Sequence, residues 1–178
     1  MNRAAATPSH SHAVAAARFI YMNKVGFNGL HRENRKGINN TPYGGGRSIK
    51  FPSEADLHAV ARALTGADLQ HRSALATIAL ARAGDVIYAD PPYDGTFTQY
   101  TAGGFGPDDQ AALAAALQAA HQRGAHVVAS NSATDRIYEL YRWAWLDPIT
   151  ESRTISVKAN TRNAVAALLI ASDETLLG

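Results

Sequence analysis

The stretch Val86-Ile87-Tyr88-Ala89-Asp90-Pro91-Pro92-Tyr93 decides the fold of this chain. Its first four residues form a short apolar run, rich in β-branched and aromatic side chains, which predicts a buried strand. The two prolines end the strand because neither can donate a ladder hydrogen bond and each restricts the residue before it. Residues 90–93 therefore predict a stiff loop at the carboxyl end of a strand, where open α/β sheets bind their ligands.

This loop offers the groups that would hold an amine on a flat ring. The Asp90 carboxylate and the Pro91 carbonyl supply two hydrogen-bond acceptors, and Tyr93 supplies an aromatic face. Two acceptors can hold both hydrogens of an exocyclic amine, so that the nitrogen lone pair points out of the ring plane. Positioning and electrostatics would then account for the rate enhancement, without a metal or a covalent intermediate. The simpler alternative is an ordinary Pro-Pro turn that follows a strand and a capping Asp.

Residues 24–52 predict a second functional segment, a long loop or small irregular subdomain without sustained periodicity. Residues 24–50 hold six basic residues against one acidic residue, whereas the remainder holds 11 basic and 14 acidic residues. A basic segment on an acidic body is typical of a protein that contacts nucleic-acid phosphates. The candidate contacts are hydrogen-bonding side chains (Asn28, Arg32, Asn34), phosphate-neutralising cations (Lys36, Arg47, Lys50) and apolar wedges for the base stack (Phe27, Leu30). The alternative is a solvated basic loop with Phe27 in the core.

Both stretches resemble motifs of one enzyme family. Residues 90–93 resemble the catalytic motif of amino-methyltransferases that modify adenine or cytosine in DNA. Residues 19–43, FIYMNKVGFNGLHRENRKGINNTPY, are similar to the target-recognition region of the Dam-type (D12 class) DNA adenine methyltransferases. The family pattern is close to N-x-x-G-(Y/F)-N-G-L-x-R-x-N, followed by a glycine and an N-x-P-(Y/F)-G turn. The matching positions are Asn23, Gly26, Phe27, Asn28, Gly29, Leu30, Arg32, Asn34, Gly37, Asn40, Pro42, Tyr43 and Gly44.

The resemblance, which runs from about Phe19 to the C-terminus, implies a fold and a reaction. The implied fold is an α/β Rossmann-like methyltransferase sheet, mostly parallel with an antiparallel C-terminal edge, that carries a DNA-recognition insertion. The implied reaction is methyl transfer from S-adenosyl-L-methionine to an adenine flipped out of double-stranded DNA. Asp90 would also belong to the cofactor pocket, and Phe27 and Arg32 would contact DNA. The family often places an Arg soon after the N-x-P-(Y/F)-G turn, where this chain has Gly44–Gly46 before Arg47, so the target sequence stays open.

The family's glycine-rich cofactor segment has no counterpart in this sequence. A Lys-Trp-Ala-Gly-Gly-Lys-like stretch and a Phe-x-Gly-x-Gly turn after a strand are both missing. The resemblance therefore implies roughly the C-terminal two-thirds of a Dam-like enzyme, with a hydrophobic sheet edge open beside the strand that ends at Asp90. Three interpretations follow: an active adenine methyltransferase, an inactive DNA-binding remnant, or one half of a split enzyme whose companion chain supplies the N-terminal half. Residues 28–32 argue against cytosine or RNA as the target.

Length and composition place these motifs in one domain of 178 residues. The chain has no cysteine, which excludes disulfides and thiolate metal sites. No apolar run reaches membrane-spanning length and no signal peptide is evident, so we expect a cytoplasmic protein. Residues 1–12 predict a disordered tail, in which His10 and His12 lack partners for a metal site. Residues 13–178 then form the methyltransferase domain, with 24–52 as its target-recognition segment.

Periodicity and capping signals predict the remaining elements. Strand–helix alternation predicts a doubly wound sheet, whose last two strands are antiparallel. A loop at 94–106 either folds over a bound base, with Phe97 and Tyr100 as stacking candidates, or simply connects two elements. The predicted elements are a mostly buried helix over 13–23, a helix over 53–64 that buries Leu57, Val60, Ala61 and Leu64, helices over 73–82, 107–124 and 134–142, and strands over 125–130, 153–157 and 165–171. Arg153, Thr161 and Arg162 are weaker candidates for phosphate contacts.

Overall fold

The computed structural model describes residues 12–34, 36–45, 49–95, 104–152 and 164–177. The chain divides into two units, with the boundary between Gln70 and His71. Apart from His12, the predicted tail lies outside the described residues. Among the helices in the described ranges, none has the length and apolar character needed to cross a bilayer.

The first unit contains two α-helices joined by an irregular segment. Helix α1 spans His12–Val25, a 3₁₀ turn follows at Phe27–Gly29, and helix α2 spans Glu54–Ala63. Ser53 caps α2: its hydroxyl accepts a hydrogen bond from the Asp56 backbone N–H, and the Asp56 carboxylate accepts one from the Ser53 N–H. This reciprocal arrangement satisfies two backbone donors that the first turn leaves unpaired. The predicted N-cap is confirmed.

The predictions that α1 is mostly buried and that α2 buries one face are wrong. In the described part of this unit no side chain is buried. The apolar stripe of α2 is exposed instead, with Leu57 at 48%, Val60 at 59% and Leu64 at 43% of their full accessible surface. Periodicity correctly identified the stripe, but a stripe is buried only where another packed layer covers it.

The described residues of the second unit form a four-stranded sheet and three α-helices. Its elements are α3 (Ala74–Ile78), β1 (Val86–Ala89), α4 (Pro107–Gln122), β2 (His126–Ser132), α5 (Asp135–Leu140), β3 (Trp145–Ser152), β4 (Ala164–Ala171) and a 3₁₀ turn at Glu174–Leu177. Pro107 opens α4, and Asp109 caps it by accepting a hydrogen bond from the Gly106 N–H at 2.8 Å. These features agree with the predicted start of this helix.

The closing strands only partly match the prediction. Strand β4 agrees with the predicted strand at 165–171, while the predicted strand at 153–157 lies outside the described residues, as do Arg153, Thr161, Arg162, Phe97 and Tyr100. Strand β3, which contains Pro148, was not predicted. Among the described strands β3 pairs with β4 alone, so it is an edge strand of the described sheet, where a proline is tolerated.

The sheet is mixed, with the strand order β1-β2-β4-β3. Strands β1 and β2 are parallel, and β4 pairs antiparallel with both β2 and β3. The antiparallel C-terminal part is confirmed. The prediction of a mostly parallel sheet does not hold for the described pairings, of which only β1–β2 is parallel, because β4 is inserted between β2 and β3.

The hydrophobic core cluster of the described residues lies on one face of this sheet, against α4 and α5. Side chains of Ile87, Val127, Ala129 and Ile170 pack with α4 and α5 into one cluster. Tyr88 and Trp145 belong to the opposite face by the strand register, and they are 68% and 53% exposed. The connections through α4 and α5 both progress in one direction across the sheet. Right-handed crossovers in one direction keep their helices on one face.

Strand β1 is an edge strand and not the buried strand that its composition predicts. Val86 and Tyr88 are both 68% exposed, whereas Ile87 and Ala89 are half-buried. This alternation is typical of a strand with one covered face. The open hydrophobic edge expected beside the Asp90 strand is present among the described residues.

Candidate functional site

The Asp90–Tyr93 corner is positioned by the parallel pairing of β1 and β2. Ala89 lies opposite Ala129 in the register, so the next residues, Asp90 and Ser130, are neighbours at the carboxyl ends of both strands. The buried Ser130 hydroxyl donates to Asp90 Oδ1 at 2.8 Å. The carboxylate is thereby fixed at one oxygen, although its side chain remains exposed.

Two acceptors on this corner remain available. Among the described residues, no donor reaches Asp90 Oδ2 or the Pro91 carbonyl, whereas the Pro92 carbonyl accepts a hydrogen bond from Gln110 Nε2 at 2.8 Å. The free pair therefore consists of the carboxylate and the Pro91 carbonyl, the two groups that the sequence singled out. Such a pair suits the two hydrogens of an amine.

A pocket of about 550 Å³ lies against the corner, within the second unit. Asp90, Pro91 and Pro92 form part of its lining, while Tyr93, which is half-buried, is not among the lining residues. The other walls are mostly apolar side chains from α3, β1, α4 and the loop that leads into α4, namely Ile78, Ile87, Leu113 and Phe105. Its volume is in the range of small-molecule sites.

The lining fits part of the methyl donor that the resemblance implies. Apolar walls and the Asp90 carboxylate suit an adenosyl group with its polar hydrogens. The lining residues include no Lys or Arg that could pair with the carboxylate of the methionyl part. Across the described residues, no cluster of His, Asp and Glu could hold a metal ion.

The far end of the corner is anchored at Asp94. Its carboxylate accepts hydrogen bonds from Arg136 at 2.7 Å and from the Thr134 hydroxyl at 2.8 Å, at the start of α5. Its backbone N–H donates to Asn131 Oδ1 at 2.9 Å. Sequence reasoning assigned no role to these residues or to Ser130 and Gln110. Polar residues at the carboxyl end of an apolar strand, Ser130-Asn131-Ser132, were the available signal.

In the first unit, the segment predicted to recognise the target forms an irregular hairpin with a tight neck. Gly26 and Tyr43 form a bridge, and the Gly44 N–H donates to the Val25 carbonyl at 2.9 Å. A Cβ on Gly26 would lie 2.9 Å from the Met22 carbonyl oxygen, and one on Gly44 would lie 3.0 Å from the Gly26 carbonyl oxygen. Only glycine fits such a close backbone approach.

Hydrogen bonds within the hairpin orient two of the candidate DNA contacts. Arg32 Nε donates to Asn40 Oδ1 at 2.9 Å, and one terminal nitrogen donates to the Asn40 carbonyl at 3.2 Å. These bonds occupy the inner edge of the guanidinium and leave its outer edge available among the described residues. Asn34 Oδ1 accepts from the backbone N–H groups of Lys36 and Ile38, so this side chain shapes the hairpin tip.

The other candidate DNA contacts differ in exposure. Phe27 is 40% exposed, which argues against the core position considered as the alternative. Asn28 has the left-handed backbone conformation, with φ of 55°. Leu30 is half-buried and Lys36 exposed, while Arg47 lies outside the described residues.

Comparison with known proteins gives consistent matches. The family model for the D12 class N6 adenine-specific DNA methyltransferase matches residues 2–155. The chain is 43% identical over 157 residues to a DNA adenine methylase of Vibrio cholerae, covering 85% of this chain and 56% of the relative. It is 38% identical over 157 residues to the retron Ec67 DNA adenine methylase of Escherichia coli, covering 88% of this chain and 55% of that protein. The chain thus spans little more than half the length of these curated relatives.

Proposed function

Because the chain belongs to the D12 class of N6 adenine-specific DNA methyltransferases, we propose that it binds double-stranded DNA and holds an extruded adenine for methylation at its amine. The methyl donor in this proposal is S-adenosyl-L-methionine. The observation that carries the proposal is the free acceptor pair of Asp90 Oδ2 and the Pro91 carbonyl at the rim of the pocket. Extrusion is required because the adenine amine is paired inside the duplex.

In the proposed mechanism the corner acts by positioning and charge. Asp90 Oδ2 and the Pro91 carbonyl each accept one amine hydrogen, and Tyr93 stacks on the base. When bound, the cofactor would supply an electrophilic methyl group. As the amine nitrogen becomes positively charged, the fixed Asp90 carboxylate stabilises that charge without having to reorient. The bond from Ser130 keeps the carboxylate in place during this change.

In the proposed DNA complex, the hairpin of the first unit selects the site. Phe27 and Leu30 fill the disturbed base stack, and Asn28, Asn34, Lys36 and Arg47 contact bases or phosphates. Arg32 reads a guanine with the outer edge of its guanidinium, since Asn40 occupies the inner edge.

A second candidate function is a DNA-binding module without methyl transfer, or one half of a split methyltransferase completed by a companion chain. The observation that favours it is the lack of a basic side chain among the described pocket-lining residues. Isothermal titration of the purified chain with S-adenosyl-L-methionine separates the candidates. Heat of binding supports the enzyme, whereas no heat at millimolar cofactor supports the second candidate.

The assigned role of Asp90 is tested by Asp90→Ala. We expect transfer of labelled methyl groups to unmethylated genomic DNA to fall by at least about 100-fold, because charge stabilisation is lost. DNA affinity, measured by fluorescence anisotropy, should stay within about twofold, since the corner is not a phosphate contact. Asp108→Ala, on an exposed residue of α4 outside the pocket lining, is the matched control. An Asp90→Ala chain that still methylates refutes the role.

Arg32→Ala should relax sequence choice at one base pair, at a cost of about 1–3 kcal/mol for the preferred site. Lys36→Ala is the comparison, because losing a phosphate contact weakens binding to all sequences alike and lowers the salt slope by about one. Selection of bound duplexes from a randomised pool measures both. The same preferred sequence and the same preference strength in Arg32→Ala would exclude base reading by Arg32.

A further inference from the structure

Two buried amide side chains connect the core of the second unit to the catalytic corner. Gln110 on α4 is 1% exposed and Asn131 on β2 is fully buried. Asn131 Nδ2 donates to Gln110 Oε1 at 3.0 Å. Polar groups this deep are costly unless each is hydrogen-bonded, and the remaining atoms of both amides are bonded to the backbone.

The backbone partners of the pair lie on either side of Tyr93. Gln110 Nε2 donates to the Pro92 carbonyl at 2.8 Å, and Asn131 Oδ1 accepts from the Asp94 N–H at 2.9 Å. A carbonyl only accepts and an N–H only donates, so the orientation of both amides is determined. The four groups form one directed chain from the Asp94 N–H, through Asn131 and Gln110, to the Pro92 carbonyl.

From this geometry we propose that Gln110 and Asn131 are positioning residues that clamp the backbone on both sides of Tyr93. They hold the tyrosine ring in register with the free acceptors on Asp90 and Pro91. The purpose assigned to the clamp rests on the proposed function. The clamp itself is a property of the chain without ligands and can be tested there. The upstream bond from Ser130 to Asp90 is separate, so the corner is fixed at both ends.

The composition of α4 distinguishes the clamp from ordinary packing. The other buried positions of this helix are all apolar, namely Leu113, Ala114, Leu117 and Ala120. An aliphatic side chain at position 110 would satisfy the packing but would leave the Pro92 carbonyl and Asn131 Nδ2 without these partners. Burying an amide at this position therefore serves the corner and not the core.

The variant Gln110→Glu tests the clamp with almost no change in volume. The introduced carboxylate, when ionised, still accepts from Asn131 but places an oxygen opposite the Pro92 carbonyl, so that contact becomes repulsive. Protonation at low pH restores a donor, and burial favours the protonated form. Gln118→Glu, on the same helix but not fully buried, is the matched control.

Amide hydrogen exchange of the full chain, followed by NMR, is the first measurement. At pH 8 we expect the protection factor of the Asp94 amide in Gln110→Glu to fall by at least about tenfold, while the β2 amides are unaffected. At pH 5 the protection should recover. Equal loss in the corner and in β2 would show a packing role only, and unchanged protection at Asp94 would show no clamp. Either result overturns the proposal. If Gln110→Glu does not fold, Gln110→Met replaces it, without the recovery at low pH.

Methyl transfer provides the second measurement. We expect kcat of Gln110→Glu to fall at pH 8 and to recover at lower pH, with KM for DNA within about twofold of the wild-type value. A kcat equal to that of Gln118→Glu at pH 8 would overturn the positioning role. A wild-type chain without methyl transfer would refute the proposed function above, and hydrogen exchange would still decide whether the clamp exists.

Discussion

Tyr141 is the largest fully buried side chain in the described residues, and no partner for its hydroxyl is present among them. Burial raises the pKa of this phenol to about 12, because the charged form is poorly solvated in the core. An unfolded tyrosine ionises near pH 10, so the folded state keeps a proton that the unfolded state loses. The stability associated with the neutral phenol is therefore complete below about pH 10 and is lost as the pH rises through 12.

Tyr141→Phe should leave the free energy of unfolding at pH 7 unchanged or raise it by about 1 kcal/mol, because an unsatisfied buried hydroxyl is removed. The loss of stability above about pH 10 should also become smaller. Urea unfolding at pH 7 and 10.5 measures both effects. Tyr138→Phe, at a position on α5 that is 38% exposed, serves as the control. A loss of more than about 1 kcal/mol in Tyr141→Phe would mean that the hydroxyl has a partner.

Residue-level prediction placed the candidate acceptors correctly because they are local in sequence, while their role in the chemistry stays a prediction. Asp90 and Pro91 are adjacent, so the strand and the two prolines were enough to predict both acceptors at one corner. Gln110 and Asn131 could not be found in this way, because they are 21 positions apart and meet only through the packing of α4 on β2. A glutamine in a helix with an apolar face is normally interpreted as a solvated residue.

The same contrast holds for whole elements. The cap of α2 was predictable because Ser53 and Asp56 interact across a single turn. The burial of α1 and α2 was not predictable, since it depends on which other elements pack against these helices. Strand β3 was missed for a similar reason. A strand that contains a proline, here Pro148, is tolerated at a sheet edge, and position in a sheet is not visible in a local pattern.

The capping box of α2 gives a pH-dependent prediction. Hydrogen bonds from the backbone and hydroxyl of Ser53 lower the pKa of Asp56. Because the pKa is lowered in the folded state, the ionised carboxylate stabilises the fold above its ordinary pKa. This stabilisation is lost as the pH falls through the folded-state pKa. In Ser53→Ala the pKa of Asp56, followed by NMR titration, should rise and the amides of the first turn of α2 should exchange faster.

Ser73 provides the matched control for this experiment. It occupies the N-cap position of α3, but its side chain makes no capping hydrogen bond. Ser73→Ala should therefore change the exchange of α3 amides much less than Ser53→Ala changes that of α2. Equal effects at both helices would contradict a specific role of the Ser53–Asp56 pair.

At the scale of the whole second unit, the described part of the sheet has an open edge at β1. Val86 and Tyr88 on this edge strand are both 68% exposed, so the edge carries apolar surface. An edge strand with unpaired N–H and C=O groups is also a template for pairing with another strand. We therefore expect the purified chain to self-associate as its concentration rises.

Val86→Lys should reduce this association, because a charge on an edge strand opposes strand pairing. Sedimentation velocity at several protein concentrations measures the change, and thermal unfolding checks that the fold is retained. Val60→Lys, at a position of α2 that is 59% exposed, adds the same charge to the first unit. If both variants reduce association equally, the sheet edge is not the contact.

The glycine neck of the hairpin separates a base whose sequence is restricted from a tip whose length and sequence can vary. Gly26 and Gly44 leave no room for a methyl group at the base, while the tip beyond Arg32 is exposed and closed by the Asn34–Ile38 turn. Extra residues placed between Lys36 and Gly37 would lengthen the tip without spreading its two legs. Exchanging the tip between relatives, while the neck on α1 stays the same, would therefore test whether this segment carries a preference for one DNA sequence.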